Sequence, residues 1–157
     1  MKFKTVLKTA RRELNKLPLH RTDRDQTQLN LENMNNDLLV PALKFIRYKN
    51  IHVVNFNNMK LQNAQLTLLA PYISSNPLLR SLSLAGNGFT DLGLTAIIDA
   101  MKPNTHLNHL SLKGCLALTD WSMKALDKMV TEINMSLYAI EMDEERFNPD
   151  VVASILA

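Results

Sequence analysis

Cysteine is all but absent. Cys115 stands alone in 157 residues, so no internal disulfide can brace the fold and a disulfide-built mini-protein is excluded. Glycine is scarce, and Gly86, Gly88, Gly93 and Gly114 do not fall in the spacing of a phosphate-cradling loop. No apolar run approaches the roughly 18 residues a membrane-spanning helix needs, so no membrane span is expected. Nucleophile motifs are missing too. His106 and His109 are the nearest approach to a metal pair, but no Cys or carboxylate joins them at ligand spacing. The acids Glu141, Asp143, Glu144 and Glu145 lack the glycine and spacing of a calcium loop, and a solvated face explains them. Neither an enzyme nor a cofactor or metal is expected.

What is present is a chain 46% hydrophobic and 21% charged, the composition of one globular domain with ample core. Its net charge of +3 conceals a split. Residues 1–24 carry eight basic groups against two acids, a net of +6, which leaves −3 for the remaining 133 residues.

Internal periodicity organises most of the sequence. Apolar residues at spacings of 3 and 2 recur at Ile51, Val54 and Phe56, at Leu79, Leu82 and Leu84, at Leu107, Leu110 and Leu112, and at Leu137, Ile140 and Met142. The last member of each set advances in steps of 28, 28 and 30 residues. Each set reads as a short strand. Beyond it come a further apolar residue (Leu61, Phe89, Leu118, Phe147) and, in two units, the helix-capping pairs Thr90-Asp91 and Thr119-Asp120. A stripe with the spacing of one buried helix face follows: Leu66, Leu69, Ala70 and Ile73; Leu94, Ile97, Ile98 and Met101; Met123, Leu126 and Val130; Val152, Ile155 and Leu156. Asn76, Asn104 and Asn134 each precede the next strand by three residues, where a left-handed residue would end the helix. An earlier unit has Leu29 and Leu31 as strand and Leu39, Ala42, Leu43 and Ile46 as stripe, with Pro41 in the helix's first turn. One unit alone cannot bury both its strand and its stripe, so the units must stack.

The run LLRSLSLAGNGFTDLGLTAIIDAM, with HLNHLSLKGC repeating its opening, resembles the leucine-rich repeat of the ribonuclease-inhibitor-like class. The resemblance implies an α/β solenoid arc over residues 26–157, with a parallel concave sheet, convex helices and about five repeats (26–50, 51–78, 79–106, 107–136 and 137–157). It also implies an Asn or Cys in each turn that bonds nearby backbone. Asn87 and Cys115 match, Cys115 therefore as a structural residue. Met59 and Glu145 depart from the pattern, which makes the second and fifth turns irregular.

In that architecture the outward columns of the sheet are Gln28, Val53, Ser81, His109 and Ala139; Asn30, Asn55, Ser83, Ser111 and Glu141; and Glu32, Asn57, Ala85, Lys113 and Asp143. This patch is either a docking face for a protein segment or a solvated sheet. Lys113 alone is no surplus of positive charge, so nucleic acid is not an expected partner. Trp121 opens a convex helix, as half-buried packing or as an anchor for a partner. The sequence also stops within an apolar helix stripe at Leu156, which suggests either a packed edge or part of a longer chain.

Residues 1–25 form a separate segment. Phe3, Leu7, Ala10, Leu14 and Leu17 make one amphipathic seam among basic residues, and Pro18 ends it. Three readings stay open: a helix capping the first repeat, a docking helix for a larger assembly, or a mitochondrial presequence. Candidate protein-binding residues are Asn55, Ser83, His109, Ser111, Lys113 and Glu141 on the sheet, with Lys4, Lys8, Arg11 and Arg12 in this segment. The leading expectation is a non-catalytic protein–protein interaction scaffold, a subunit or fragment of a larger assembly. Its setting would be cytoplasmic, with cytoskeletal or ciliary scaffolds among those the resemblance implies. The alternatives are a regulator of an enzyme, of GTPase-activating or inhibitor type, and a mitochondrial assembly factor.

Overall fold

The computed structural model describes residues 20–21, 27–48, 50–134 and 136–157. The seam from Phe3 to Leu17, with Lys4, Lys8, Arg11 and Arg12, lies outside the described residues. Among the described residues the sheet has six strands in chain order: β1 (His20–Arg21), β2 (Thr27–Asn30), β3 (Val53–Asn55), β4 (Ser81–Ser83), β5 (His109–Ser111) and β6 (Ala139–Glu141). Strands β2 to β6 are parallel, while β1 pairs antiparallel with β2. β1 was not anticipated; it occupies a stretch beyond Pro18 that the amphipathic seam does not reach.

Helices return the chain between strands: α1 (Leu39–Tyr48), α2 (Asn63–Ser74), α3 (Asp91–Met101), α4 (Asp120–Lys128) and, after β6, α5 (Pro149–Leu156). Parallel neighbours require such crossovers, and the helices pack on one another in sequence order behind the sheet. Strand register follows the repeat. Val54, Leu82, Leu110 and Ile140 are successive partners across β3 to β6. Leu29, Val54, Leu82 and Leu110 are all at most 1% exposed. Leu61, Phe89, Leu118 and Phe147 fill the next layer, and the helix stripes close the core behind them. Leu156 departs from its stripe: it is 45% exposed while Val152 and Ile155 are buried.

The turns after β2 to β5 each place a left-handed residue at the same repeat position, and the turn after β3 adds a second at Lys60. Asn33, Asn58, Gly86 and Gly114 all have φ between +53° and +68°. A Cβ on Gly86 would lie 1.9 Å from Asn58 Oδ1, so the Asn58 side chain would have to move, and the φ of +67° would strain any other residue there. The expectation that Asn76, Asn104 and Asn134 are left-handed is not met. Asn134, for one, is extended, with φ −138°.

Those three asparagines instead form a ladder between repeats. Asn104 Nδ2 donates to the Ile73 carbonyl at the end of α2, while its Oδ1 accepts from the N–H groups of His106 and Leu107. Asn134 donates to the carbonyls of Met101 and Asn104 and accepts from Ser136 N. Asn76 accepts from Leu78 and Leu79. The amide is chosen because only a group that both donates and accepts can close a helix C-terminus and open the next strand at once.

Asn104→Ala strands buried backbone groups on both sides and should cost ~1–3 kcal/mol, read as a lowered denaturant midpoint at unchanged slope. Asn108→Ala, at a half-exposed position, should stay within about 0.5 kcal/mol of the parent. Equal losses in both would show that the ladder adds nothing.

Candidate functional site: the sheet face and the strand-to-helix edge

The sheet places the outward columns as the repeat spacing implies, since Val53, Ser81, His109 and Ala139 are register partners, as are Asn55, Ser83, Ser111 and Glu141. Their polar groups, however, are largely spent on one another. Ser83 Oγ donates to Asn57 Oδ1 at 2.6 Å, and the same oxygen accepts from Ala85 N. Asn55 Oδ1 accepts from Asn57 N. His109 bridges three strands, with Nδ1 2.8 Å from Ser81 Oγ and Nε2 3.2 Å from Glu141 Oε1. Hydrogen bonds from His109 and Ser111 hold the Glu141 carboxyl below its usual range against the opposing effect of burial. Ser111 was expected to present its hydroxyl outward, yet it is 4% exposed, packed between its strand neighbours. Lys113 is exposed, and Asp143 accepts from Gly114 N.

Ser81, His109 and Glu141 have the atom types of a nucleophile relay, but the Glu141 side chain is 47% exposed on an open strand surface. Such a relay acts in a site that excludes water. His106 stands apart as an exposed loop residue, and no cluster of three metal-ligating side chains occurs among the described residues.

Cys115 lies in the turn, buried, with Sγ donating to the Leu84 carbonyl. Burial pushes its thiol pKa up. Asn87 does the fuller version of the same task. Its Oδ1 accepts from Met59 N and Leu61 N, and its Nδ2 donates to the carbonyls of Phe56 and Leu84. The second turn, lacking its own Asn, is thereby held by the third. In the fifth turn, where Glu145 breaks the pattern, the Arg146 guanidinium reaches the carbonyls of Cys115, Leu116 and Leu118 instead.

A second surface runs along the edge where strands lead into helices. Here the first residues of α2, α3 and α4 each cap the helix that follows. Asn63 Oδ1 accepts from Thr90 N and Gly93 N at the start of α3. Asp91 accepts from Thr119 N and from the hydroxyls of Thr119 and Ser122 at the start of α4. Asp120 accepts from Asn148 N, just before α5. Thr90, expected as a cap, makes no side-chain cap bond, whereas Thr119 accepts from Trp121 N.

These clamps fix what projects beside them. Leu92 and Trp121 are the second residues of α3 and α4, and Asp91 grips Thr119 and Ser122 on either side of Trp121. Leu92 is 73% exposed and Trp121 59%, so Trp121 is not half-buried packing. Leu116, whose carbonyl Arg146 holds, is also 73% exposed. The sequence reading passed over Leu92 and Leu116. Their signal was available: both are large apolar residues left over once the buried pattern of the repeat is subtracted. On the opposite edge, Leu78, Ile133 and Tyr138 are exposed, and a groove lies between Ile46, Pro71, Tyr72 and Leu78. Among the described residues, no helix is long and apolar enough to cross a membrane.

Comparison with known proteins agrees with this geometry. A family model described as leucine-rich repeat matches residues 75–97. A search of curated proteins finds no significant match. Among solved structures, "Leiomodin-1 Actin-Binding Site 2" superposes with a TM-score of 0.72 at 18% identity, over 98% of this chain and 87% of that one. The tropomodulin C-terminal domain of Caenorhabditis elegans superposes at 0.70 with 15% identity, over 96% and 90%. At such identities the likeness concerns the fold.

Two outcomes follow for the clamps and the thiol. Hydrogen bonds hold the Asp91 pKa below its usual 3.8, even though burial pulls it upward. A depressed folded-state pKa gives stability that is complete above the unfolded value and lost as pH falls through the folded one. Wild-type stability should therefore decline below about pH 3.8 more steeply than that of Asp91→Asn, as measured by denaturation at each pH. Parallel acid profiles would remove Asp91 from that role. Cys115 should react with a thiol reagent at neutral pH only as fast as the fold opens; immediate labelling of the native chain would contradict its burial.

Proposed function

We propose that this leucine-rich-repeat protein is a non-catalytic protein-interaction scaffold that docks its partner through the strand-to-helix edge at Leu92, Leu116 and Trp121. The observation that carries the reading is the exposure of these three side chains beside bonds that tie one repeat to the next; Leu68, Ile133 and Tyr138 are also exposed but lie off this edge. Water meets a large apolar surface there, and an aromatic residue on a rigid frame is the usual centre of binding energy. The rigidity comes from the helix-to-helix capping through Asp91 and Asp120, so a partner need not order the edge before using it.

The partner class this reading favours is the actin cytoskeleton. Its support is the likeness along nearly the whole chain to a leiomodin-1 domain named for actin binding. The sheet face contributes less, because Ser83, His109, Ser111 and Glu141 are already paired and a partner would have to replace those bonds. Lys113 and Asn55 remain as its polar rim.

Purified chain should bind actin, and Trp121→Ala combined with Leu92→Ala should weaken that binding by at least ~10-fold with no change in melting temperature. Full affinity in the double variant would reject the edge. A wild-type chain without affinity for actin, yet able to stimulate GTP hydrolysis by a GTPase, would replace the scaffold with an enzyme regulator.

A further inference from the structure

The strand-to-helix edge is not uniform along the solenoid. Moving from the third repeat to the fifth, the second residue of each helix changes from Leu92 to Trp121 to Asp150. The fifth turn adds Glu144 and Glu145 beside Arg146, and all three acids are exposed. Arg146, the only base among residues 136–157, has its guanidinium on backbone carbonyls and lies over the Phe147 ring. Those residues hold five acids, a net charge of −4. The edge is thus an apolar patch with an acidic flank on one side. The complementary ligand is a peptide with an apolar seam and a dense positive charge.

The sequence contains such a peptide. Residues 1–17 have apolar residues at steps of 4, 3, 4 and 3, with Lys2, Lys4, Lys8, Arg11, Arg12 and Lys16 around them. This segment leads into β1, and the sheet order runs β1 to β6 without a crossover. β1 stands at the opposite end of the strand order from β6 and the acidic flank. A chain whose basic apolar segment precedes one end of the sheet, and whose acidic-flanked apolar edge lies toward the other, is suited to bind its neighbour.

We propose that the strand-to-helix edge of repeats three to five receives the basic segment 1–17 of a second copy of this chain, joining molecules head to tail. The proposal rests on the reading of that edge as a docking surface and gives it a second ligand, which competes with actin for the same side chains. The contact is heterologous: each copy uses its basic segment on one neighbour and its edge on the other, so association continues into rings or open chains rather than stopping at a symmetric dimer. Long-range attraction between the ends makes assembly salt-sensitive, because charges further apart than ~8–10 Å are screened at physiological ionic strength.

The test uses the whole 157-residue chain in analytical ultracentrifugation across a concentration series at low and high salt. Wild type should grow beyond a dimer with concentration, and dissociate in high salt. A basic-end variant (Lys4→Glu, Lys8→Glu, Arg11→Glu, Arg12→Glu) and an acidic-edge variant (Glu144→Lys, Glu145→Lys) should each remain monomeric alone. Mixed in equal amounts they should assemble again, since each reversed surface then meets its complement on the other variant. That rescue distinguishes charge pairing from a folding defect. Trp121→Ala should weaken wild-type assembly by at least ~10-fold. A wild type monomeric at all concentrations, a dimer that grows no further, or variants that stay monomeric when mixed would each overturn the proposal. If self-association fails while Trp121→Ala still loses actin, only the identity of this ligand is wrong. If Trp121→Ala affects neither, the edge itself is not a docking surface.

Discussion

Each coil of this chain leaves backbone groups that only the next coil can satisfy. The strands are two to four residues long and bond sideways, so none has an internal partner. Every unit therefore depends on registry with its neighbours, and the repeat length is fixed by the need to return to the same height. The hydrophobic column through Val54, Leu82, Leu110 and Ile140 follows from that registry rather than causing it alone. Core burial supplies the driving force, but it is non-directional. Asparagine amides, a thiol and one guanidinium set which coil sits where.

The same constraint decides which surface is available. Side chains on the sheet face lie at strand spacing, ~4.8 Å apart, close enough for polar neighbours to pair across strands. Ser83 with Asn57, and Ser81 with His109 and Glu141, do so. A polar column on such a sheet tends to satisfy itself. The helix starts are different: their capping bonds run through the first residue of each helix, leaving the second residue projecting outward. This is why an apolar residue there has no alternative to solvent or a partner.

Much of this architecture could be read from residue spacing. The strand triplets, the helix stripes and the roles of Asn87 and Cys115 appear where the repeat puts them, because burial on one side imposes a strict period. Asn76, Asn104 and Asn134 were located but given the wrong task. Their position at helix ends suggests a left-handed residue, and nothing in one unit reveals that the amide reaches a carbonyl some 30 positions earlier. Left-handed geometry falls on Asn33, Asn58, Gly86 and Gly114, whose alignment emerges only when the turns are superimposed. Ser111 was misplaced for a related reason: alternation tells which way a side chain points, not what stands beside it. Leu92 and Leu116 drew no attention because a search for pattern discards whatever falls outside it.

The latches that join the turns and helix ends share a direction. Asn87 grips the second turn from the third, Cys115 the third from the fourth, and Arg146 the fourth from the fifth; Asn104 and Asn134 likewise reach back. The helix-start clamps run the other way, since Asn63, Asp91 and Asp120 each cap N–H groups of the coil that follows. Losing the last coil uncovers carbonyls on the one before it, and losing an early coil uncovers helix-start N–H groups on the one after it. Amide protons should thus be best guarded from exchange in the middle coils, with protection falling toward both ends, as a cord unravels from its two tips.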